Sequence, residues 1–262
     1  MADDGIAGTL TEHYDHPNSY SLSLAEWYRR AALHGDEVQH HYRHRLRKAV
    51  SDRGAFLQVA GELMAAYFLE AQLGVDLTYV RRGRTATPDF RACACGVRLT
   101  VEAKTLVGGV PLSVSKYSGS FPSPAPAVRR AISRARKRGQ LDPLGTNLVL
   151  LIDCWRPGIS HHHAVDALYG DPQFTCWMGP DGPVGPWRDV RERNVLCQFN
   201  KNTRVSAVGV LGWPGRPECA GYFLHNAYAA RKIPESAFDP WPQFVPDEAK
   251  ERMVWRNARE GW

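Results

Sequence analysis

A short alternating segment near residue 100 carries two ionisable side chains on one face. Residues 97–104 alternate apolar and polar side chains, which is typical of a β-strand with one buried face. In such a strand Glu102 and Lys104 share the polar face, roughly 7 Å apart along the strand. What chemistry they support depends on the side chains that the neighbouring strand places beside them.

The preceding segment supplies a second carboxylate. Residues 95–96 (Cys-Gly) predict a tight turn, because Gly tolerates the positive φ that such turns require. A turn there pairs residues 88–94 with the following strand and brings Asp89 opposite Glu102, and the apolar faces of the two strands then agree. Two opposed carboxylates repel each other, so we expect either a cation between them or one of them protonated. With Lys104 beside them, the pair suits a hard divalent cation with open coordination positions.

A helix predicted over residues 55–73 carries a third carboxylate. Its apolar residues recur at helical spacing along one line, and Gly74 is a typical residue at a helix C-terminus. Glu62 falls on that apolar line, where a hydrophobic residue is expected. Because a buried Glu without a partner is costly, we expect Glu62 to have one, and it could serve as a further metal ligand.

These residues together resemble the signature of a known group of enzymes. Glu62 on a helix, Asp89 after a proline and residues 102–104 (Glu-Ala-Lys) are similar to the motif of the PD-(D/E)xK nuclease superfamily. That superfamily includes restriction endonucleases, Holliday-junction resolvases and repair nucleases. The resemblance extends over residues 55–153, from the helix through a strand hairpin to a basic helix and an apolar strand.

The resemblance implies a metal-dependent DNA endonuclease of restriction, defence or repair type, which hydrolyses phosphodiester bonds. Asp89 and Glu102 would bind Mg²⁺, or Mn²⁺ in its place, and the backbone carbonyl of Ala103 would complete the shell. Lys104 would orient or activate the attacking water and stabilise the charge that develops on the phosphate. Glu62 would hold a second metal ion or a metal-bound water. The implied catalytic set is Glu62, Asp89, Glu102 and Lys104.

A basic helix is predicted over residues 127–141, with six cations between residues 129 and 138. At about 100° per residue, four of them form one stripe, which Gln140 borders. A solvated outer face is one interpretation of this stripe. We expect a contact with a phosphate backbone instead, because a polyanionic substrate needs cations around a carboxylate-lined cleft. In the superfamily a helix at this place often carries a Lys and a Gln near the cleft. The expected nucleic-acid-binding residues are Arg130, Arg134, Lys137, Arg138 and Gln140.

The mixture of helices and strands predicts an α/β fold with a mixed central sheet flanked by helices. The resemblance implies a restriction-endonuclease-like sheet with N-terminal helical and C-terminal extensions. We expect an N-terminal leader and helices over residues 1–50, a nuclease core over residues 51–233 and a C-terminal extension over residues 234–262.

Local patterns predict the remaining elements. A capping box formed by Ser23 and Glu26 predicts the start of the first helix. The Gly- and Pro-rich residues 170–187 predict a long loop. The other expected elements are helices at 36–49, at 188–201 and from residue 247, and strands at 76–82, 147–154, 204–212 and 221–225.

Composition and charge indicate the class of protein and its partners. The chain has 262 residues, of which 44% are hydrophobic, enough for a substantial core. It has no apolar run of membrane-spanning length and no signal-like N-terminus, so we expect a cytoplasmic protein without a membrane partner. The net charge of +6, with 26 Arg among 33 basic residues, fits nucleic acid or another polyanion, and it fits a solvated, soluble surface equally well. The family resemblance implies DNA as the partner, with RNA as the alternative. A homodimer is compatible, since cutting both strands often needs two sites.

Three alternatives stay open. Each residue by itself also fits a structural role, with Glu102 and Lys104 as a surface salt bridge and Asp89 as a strand-start residue. The chain could instead be a catalytically inactive nuclease-fold module that binds nucleic acid. A Cys/His site is the third alternative, although the six Cys residues include no CxxC pair. Residues 161–163, three consecutive His, could bind a metal or simply start a helix.

Overall fold

The computed structural model describes residues 17–81, 87–109, 123–156, 159–170, 172–179, 182–191, 202–212, 221–247 and 252–257. Most of the expected leader, residues 1–16, lies outside this set. Across the described residues, no helix combines the length and the apolar character that crossing a membrane requires.

Three helices begin the described chain, namely α1 (Pro17–Ala32), α2 (Asp36–Ala49) and α3 (Arg53–Tyr67). The predicted start of the first helix at Ser23 is wrong, because the helix already begins at Pro17. Proline is favoured in the first helical turn, since its fixed φ is helical and its missing N–H would have no partner there. The second predicted helix, 36–49, is confirmed.

The third helix is buried along most of its length and bears the first candidate site residue. Its N-terminus is capped by Asp52, whose side chain accepts a hydrogen bond from the Ala55 N–H at 3.0 Å. The last turn widens into a π-helix (Phe68–Gln72), and the chain then turns away at Gly74 with a φ of 63°. The glycine at the helix end is therefore confirmed, since a left-handed φ favours Gly.

Ten strands lie within the described residues, and eight of them form one mixed sheet. They are β1 (Asp76–Tyr79), β2 (Phe90–Ala94), β3 (Val97–Gly109), β4 (Thr146–Arg156), β5 (Pro172–Gly179), β6 (Gly182–Arg191), β7 (Ala207–Gly212), β8 (Tyr222–His225), β9 (Gln243–Asp247) and β10 (Arg252–Arg256). The sheet has the order β1-β2-β3-β4-β7-β8-β9-β10, and β5 and β6 form a separate hairpin. The central strands β3, β4 and β7 are parallel, whereas β1, β2 and β3 pair antiparallel. The prediction of a mixed sheet flanked by helices is confirmed.

The β2–β3 hairpin has the register that the sequence predicts. Phe90 pairs with Val101, and the hairpin closes at Cys95 (φ 47°) and Gly96 (φ 76°). Two successive positive φ values are the signature of the tight turn whose twist matches that of paired strands. Buried and exposed residues alternate along β2, so the apolar faces of both strands meet the same core.

The sheet separates two apolar cores. Helices α1–α3 cover one face, whereas α4 (Ala125–Lys137) and α5 (His161–Tyr169) cover the other. Along β4, Leu150 belongs to the first core and Val149 to the second, so this strand is buried on both faces, as its continuous apolar run predicts. Along β3, Ala103 belongs to the first core. Since strand side chains alternate, Glu102 and Lys104 lie on the face that α4 covers.

The Gly- and Pro-rich segment expected to be a long loop is a hairpin instead. Strands β5 and β6 pair antiparallel up to Gly179, which is paired with Gly182. Gly and Pro are frequent in turns, and their density predicted a loop, but residues 172–179 and 182–191 are strands. The helix predicted at 188–201 is also wrong where it is described, because residues 188–191 belong to β6.

The helix expected from residue 247 is wrong over 252–256, which form β10. The sequence around residues 247–252 is rich in helix formers, but residues 252–256 pair with β9 as a strand. Trp255 pairs with Phe244 of β9, with ring centroids 5.1 Å apart, and cross-strand aromatic pairs stabilise sheets. Because β9 also pairs with β8, β9 and β10 extend the central sheet.

Candidate active site

Asp89 directly precedes β2, where pairing with β3 starts. Its backbone N–H donates to the carbonyl of Val101 at 3.1 Å, and its side-chain Oδ2 accepts from the Ala103 N–H at 2.9 Å. The side chain therefore continues the ladder beyond the end of β2. The strand register ends at Phe90 opposite Val101, so Asp89 lies one residue beyond the last pair, where its charge acts on Glu102. Only 6% of Asp89 and 0% of Glu102 are exposed. The structure thus brings two buried carboxylates together on adjacent strands.

Glu102 lies in an environment that disfavours its charged form. Burial and the charge of Asp89 raise the pKa of Glu102 to about 8, although Lys104 acts in the opposite direction, and Glu62 adds a smaller increase. The Nζ of Lys104 donates to Oε1 of Glu102, while Oε2 is buried without a hydrogen-bond partner. A buried oxygen without a partner costs free energy, and a cation bound there would supply one.

Lys104 connects the carboxylates to an open cavity. Its ammonium contacts Glu102 and also donates to Oε1 of Gln140 at 3.2 Å. The side chain is 17% exposed, so part of it reaches solvent. Gln140 follows α4, so this bond links the carboxylate strand to the basic helix. The structure therefore brings two residues predicted separately, Lys104 and Gln140, into direct contact.

Glu62 forms a buried ion pair with Arg45 of α2. Both guanidinium terminal nitrogens donate to the carboxylate, with Nη2 2.8 Å from Oε1. Burial by itself would lower the pKa of Arg45, but its hydrogen bonds and attraction to Glu62 outweigh burial and raise it. The buried Glu therefore has the partner that its position demands, and that partner is a cation of the preceding helix.

Gln58 connects Glu62 to strand β3. Its Nε2 is 3.3 Å from both Oε1 of Glu62 and the carbonyl oxygen of Ala103, and its Oε1 accepts from the Thr105 N–H at 3.3 Å. Sequence reasoning missed both Gln58 and Arg45. Gln58 precedes Glu62 by one helical turn, a spacing that places the two side chains side by side. Arg45 is one of several cations on its helix, and no local pattern separates it from the others.

The close contact between α3 and β3 depends on Gly61. A Cβ atom at this position would lie 2.2 Å from Oγ1 of Thr105 and 3.4 Å from Cγ1 of Ile152. The hydroxyl of Thr105 donates to the carbonyl of Leu57 at 3.2 Å, which fastens the strand to the helix. The helix can therefore bring Gln58 within reach of the strand only because residue 61 has no side chain.

A basic cavity of about 450 Å³ lies between α4 and the end of β3. Its lining includes Lys104 and Gln140 together with three exposed arginines of the predicted stripe, Arg130, Arg134 and Arg138. Lys137 is exposed on the same helix but lies outside this lining. Four of the five predicted nucleic-acid-binding residues therefore surround one cavity at the candidate site.

Asp89 lies at a second opening, on the other side of the carboxylates. A cavity of about 390 Å³ is lined by Asp89, Glu62 and Arg45 together with aromatic and His residues of α2 and β1. Since Lys104 lines the first cavity and Glu102 contacts Lys104, the carboxylate pair lies between two accessible spaces.

The donor set near Glu102 fits one hard cation. The free Oε2 of Glu102 and the carboxylate of Asp89 are oxygen donors of the type that Mg²⁺ prefers. The carbonyl of Ala103 points to the same side as its N–H, towards Asp89, because both groups of a strand residue project in one direction. Among the described residues, no three side chains of His, Cys, Asp or Glu converge closely enough to bind a metal by themselves. Glu62 is engaged by Arg45, so the fit rests on two carboxylates and a carbonyl.

The run of His residues 161–163 serves a helix start. Ser160 caps α5, and its Oγ accepts from the His163 N–H at 3.3 Å. The ring of His161 packs edge-on against Trp255, with centroids 5.4 Å apart. The interpretation of this run as a helix start is therefore confirmed.

Comparisons with known proteins add no relative. No family model matches the chain, and neither a curated protein nor a solved structure does so. The functional interpretation therefore depends on the site's own chemistry.

Proposed function

We propose that this protein is a metal-dependent nuclease that hydrolyses phosphodiester bonds of DNA. The observation that carries the proposal is the buried pair Asp89–Glu102 with Lys104 on the same strand, beside a cavity lined by arginines. The alternative interpretation as a surface salt bridge explains these buried carboxylates poorly, since each of them loses its hydration when it is removed from water. The arrangement agrees with the PD-(D/E)xK resemblance and with a restriction-endonuclease-like version of the mixed sheet.

Asp89, Glu102 and the carbonyl of Ala103 would hold Mg²⁺, or Mn²⁺ in its place. When bound, the cation supplies Lewis-acid stabilisation of the phosphate oxygens. The protein's own groups then set the geometry. Asp89 is fixed by its hydrogen bond to the Ala103 N–H, and Glu102 is fixed by Lys104. Neither carboxylate needs to reorganise when a substrate arrives, which favours a preorganised site.

Lys104 has two roles in this proposal. Its ammonium holds Oε1 of Glu102, and it faces the cavity through which a phosphate would approach. There it would orient the attacking water and stabilise charge on the phosphate. Gln140 holds the ammonium from the other side, so Lys104 is positioned from two directions.

Glu62 acts from the opposite side of the strand. Its contact with Gln58, which also reaches the Ala103 carbonyl, links the buried ion pair to a proposed metal donor. We assign Glu62 and Arg45 to positioning Gln58 and balancing charge. Arg45 occupies both carboxylate oxygens of Glu62. A second cation or a cation-bound water could therefore bind Glu62 only after Arg45 moves away.

DNA is the proposed substrate because the cavity beside Lys104 is lined by Arg130, Arg134 and Arg138. Arg binds phosphate through a planar fork of donors, which suits a polyanionic backbone. A homodimer would place two such sites on a duplex. A restriction, defence or repair role would follow from cutting DNA internally.

The direct test is a cleavage assay on plasmid and linear DNA with Mg²⁺ or Mn²⁺. We expect the wild-type protein to cut, and excess EDTA or Glu102→Gln to abolish cutting. Glu26→Gln, which removes an exposed carboxylate of α1, is the matched control and should cut at the wild-type rate. Full activity in EDTA would contradict the proposal. Binding of DNA without cleavage in either cation would favour an inactive nuclease-fold binding module instead.

A further inference from the structure

A third cavity, of about 730 Å³, covers the outer face of the β1–β2–β3 sheet edge. Two exposed arginines line it, Arg91 of β2 and Arg98 of β3, together with Thr100. Arg91 pairs across the strands with Thr100, and strand side chains alternate between faces. The polar side chains at 98, 100, 102 and 104 therefore share one face, which continues from this cavity to the candidate site.

Gln140 belongs to the lining of this cavity and of the basic cavity beside α4. The two spaces therefore meet at the residue that holds Lys104. Their positions along β3 differ. The sheet-edge cavity contacts residues 98–100, whereas the basic cavity contacts residues 104–107. Lys104 thus has a basic surface on each side of it along the strand.

The length of β3 from the sheet-edge cavity to Lys104 corresponds to several nucleotides of DNA. Arg98 and Lys104 are six residues apart on one strand, about 20 Å at the usual rise. Duplex DNA advances about 3.4 Å per phosphate of one strand along its axis, so the face from Arg98 to Lys104 spans roughly six nucleotides. The arginines of α4 extend the basic surface beyond Lys104 in the other direction.

The side chains of Arg91 and Arg98 are both exposed. Neither arginine forms an ion pair with a described residue. Asp76 and Asp142 also line the cavity, but Asp142 is engaged by the chain, because its Oδ1 accepts from the Leu144 N–H at 2.9 Å. Exposed cations facing a groove next to a phosphate-cleaving site are the usual contacts for a nucleic-acid backbone.

We propose that the β1–β3 sheet edge is a second DNA-contact surface, so that the DNA continues past Lys104 in both directions and is cut internally. This inference rests on the proposed nuclease function. It adds Arg91 and Arg98 to the DNA-binding residues. The DNA then needs no free 5′ or 3′ end near the site, because a DNA-contact surface lies on each side of Lys104.

The first experiment measures binding separately from cleavage. Affinity for a labelled DNA duplex is measured by fluorescence anisotropy in EDTA over a range of salt concentrations. The double variant Arg91→Gln/Arg98→Gln should bind more weakly, and its log K against log salt should flatten by about 0.9 for each phosphate that it no longer neutralises. The double variant Arg130→Gln/Arg134→Gln, which removes two cations of α4, should show the same weaker binding and the same flatter salt dependence. Arg47→Gln/Lys48→Gln, which removes two exposed cations of α2 on the other side of the sheet, is the charge-matched control and should match wild type.

The second experiment compares covalently closed circular DNA with linear DNA of the same sequence, with Mg²⁺ present. We expect both forms to be cut, and the closed circle to be cut more slowly by Arg91→Gln/Arg98→Gln than by the α2 control. An unchanged salt slope in that variant, or cleavage confined to linear ends, would overturn the inference while the nuclease proposal stands. Failure to cut either form in Mg²⁺ and Mn²⁺ would overturn the nuclease proposal, and a failure of the wild-type protein to bind DNA would overturn both.

Discussion

Asp89 contributes a hydrogen bond and a negative charge, and substitution can separate the two. Its Oδ2 accepts from the buried Ala103 N–H, whereas its charge acts on Glu102. Asp89→Asn keeps an acceptor oxygen for the N–H and removes the charge. Asp89→Ala removes both and leaves a buried donor unpaired, which costs about 1–3 kcal/mol. We expect both variants to lose cleavage, and only Asp89→Ala to lose stability by that amount.

Urea unfolding at pH 7 in EDTA, together with the plasmid assay, checks this prediction. The exposed residue Ser51, which lies between α2 and α3, offers a control, since Ser51→Ala should change neither quantity appreciably. Equal stability losses in Asp89→Asn and Asp89→Ala would mean that the charge, rather than the hydrogen bond, holds the residue in place. Retained cleavage in Asp89→Asn would remove Asp89 from the proposed metal ligands.

The buried ion pair between Arg45 and Glu62 predicts that removing one partner lowers the free energy of unfolding, and that removing both partners restores much of it. Breaking a buried pair leaves one charge uncompensated, which typically costs about 3–5 kcal/mol. Arg45→Gln should therefore lower the free energy of unfolding by about that amount. The double variant Arg45→Gln/Glu62→Gln should recover much of the loss, because no buried charge is left without a partner.

An exposed ion pair that also involves α2 provides the control for the Arg45 and Glu62 variants. Arg81 is 2.8 Å from Glu37, with 85% and 74% of their side chains exposed. Exposed pairs contribute about 0–1 kcal/mol, so Arg81→Gln should have little effect. A loss below about 1 kcal/mol in Arg45→Gln would show that water reaches Glu62 and compensates its charge.

At the scale of secondary-structure elements, the packing of α3 on β3 gives a sharp prediction. Gly61→Ala would place a Cβ atom 2.2 Å from the Thr105 hydroxyl, so either this hydroxyl rotates and loses its bond to Leu57, or the helix moves away from the strand. Overpacking of this kind costs about 1–3 kcal/mol. The same shift would carry Gln58 away from Ala103, so we expect reduced cleavage as well as reduced stability.

Gly54→Ala is the matched control in the same helix. A Cβ at residue 54 would have its nearest neighbour, Oδ1 of Asp52, at 3.4 Å, an ordinary contact. Ala is favoured over Gly in helices by up to about 1 kcal/mol, so this variant should be as stable as wild type or more so. Thermal unfolding and the cleavage assay compare the two. A Gly61→Ala protein as active and stable as Gly54→Ala would contradict the close contact.

The sequence predicted the β2–β3 hairpin well because two independent local signals agreed. The turn at Cys95 and Gly96 and the alternation of apolar residues both specify one register, and a slip by one residue would turn the apolar face outward. That register brings Asp89, the residue before β2, close enough for its charge to act on Glu102. The α4 stripe was predictable for a similar reason, since helical periodicity fixes which cations share a face.

The remaining elements depended on contacts that are distant in sequence. Arg45 reaches Glu62 only because α2 packs on α3, and no periodicity within α2 distinguishes it from Arg43 or Arg47. Strand β10 forms because Trp255 packs against Phe244, and its preceding residues favour a helix when taken alone. Local propensity gives way to tertiary pairing in such cases.

At the scale of the whole molecule, the site combines groups from both faces of the central sheet. Glu62 and Gln58 reach the carboxylate strand from the α3 face, whereas Lys104 and Gln140 lie on the α4 face. Both sets approach one backbone segment beside the start of β2, which Asp89 directly precedes. The fold therefore concentrates opposite charges around Glu102, and the stability of the whole protein should respond when Glu102 titrates.

The pH dependence of stability provides that test. The pKa of Glu102 is raised from 4.5 to about 8 in the folded protein, so the folded state holds this proton where the unfolded state has lost it. Stability from this group is therefore fully present below about pH 4.5 and declines as pH rises towards 8. Burial lowers the pKa of His225 and His161, so these residues make stability rise with pH, opposite to Glu102. Wild type must therefore be compared with a variant that lacks only the Glu102 contribution.

In EDTA, Glu102→Gln lacks the Glu102 contribution and should become progressively more stable than wild type between about pH 5 and 8. Urea unfolding at half-unit pH intervals measures the difference, with Glu26→Gln as the control. A difference that stays constant across this range would mean that Glu102 is ionised throughout and already paired with its neighbours.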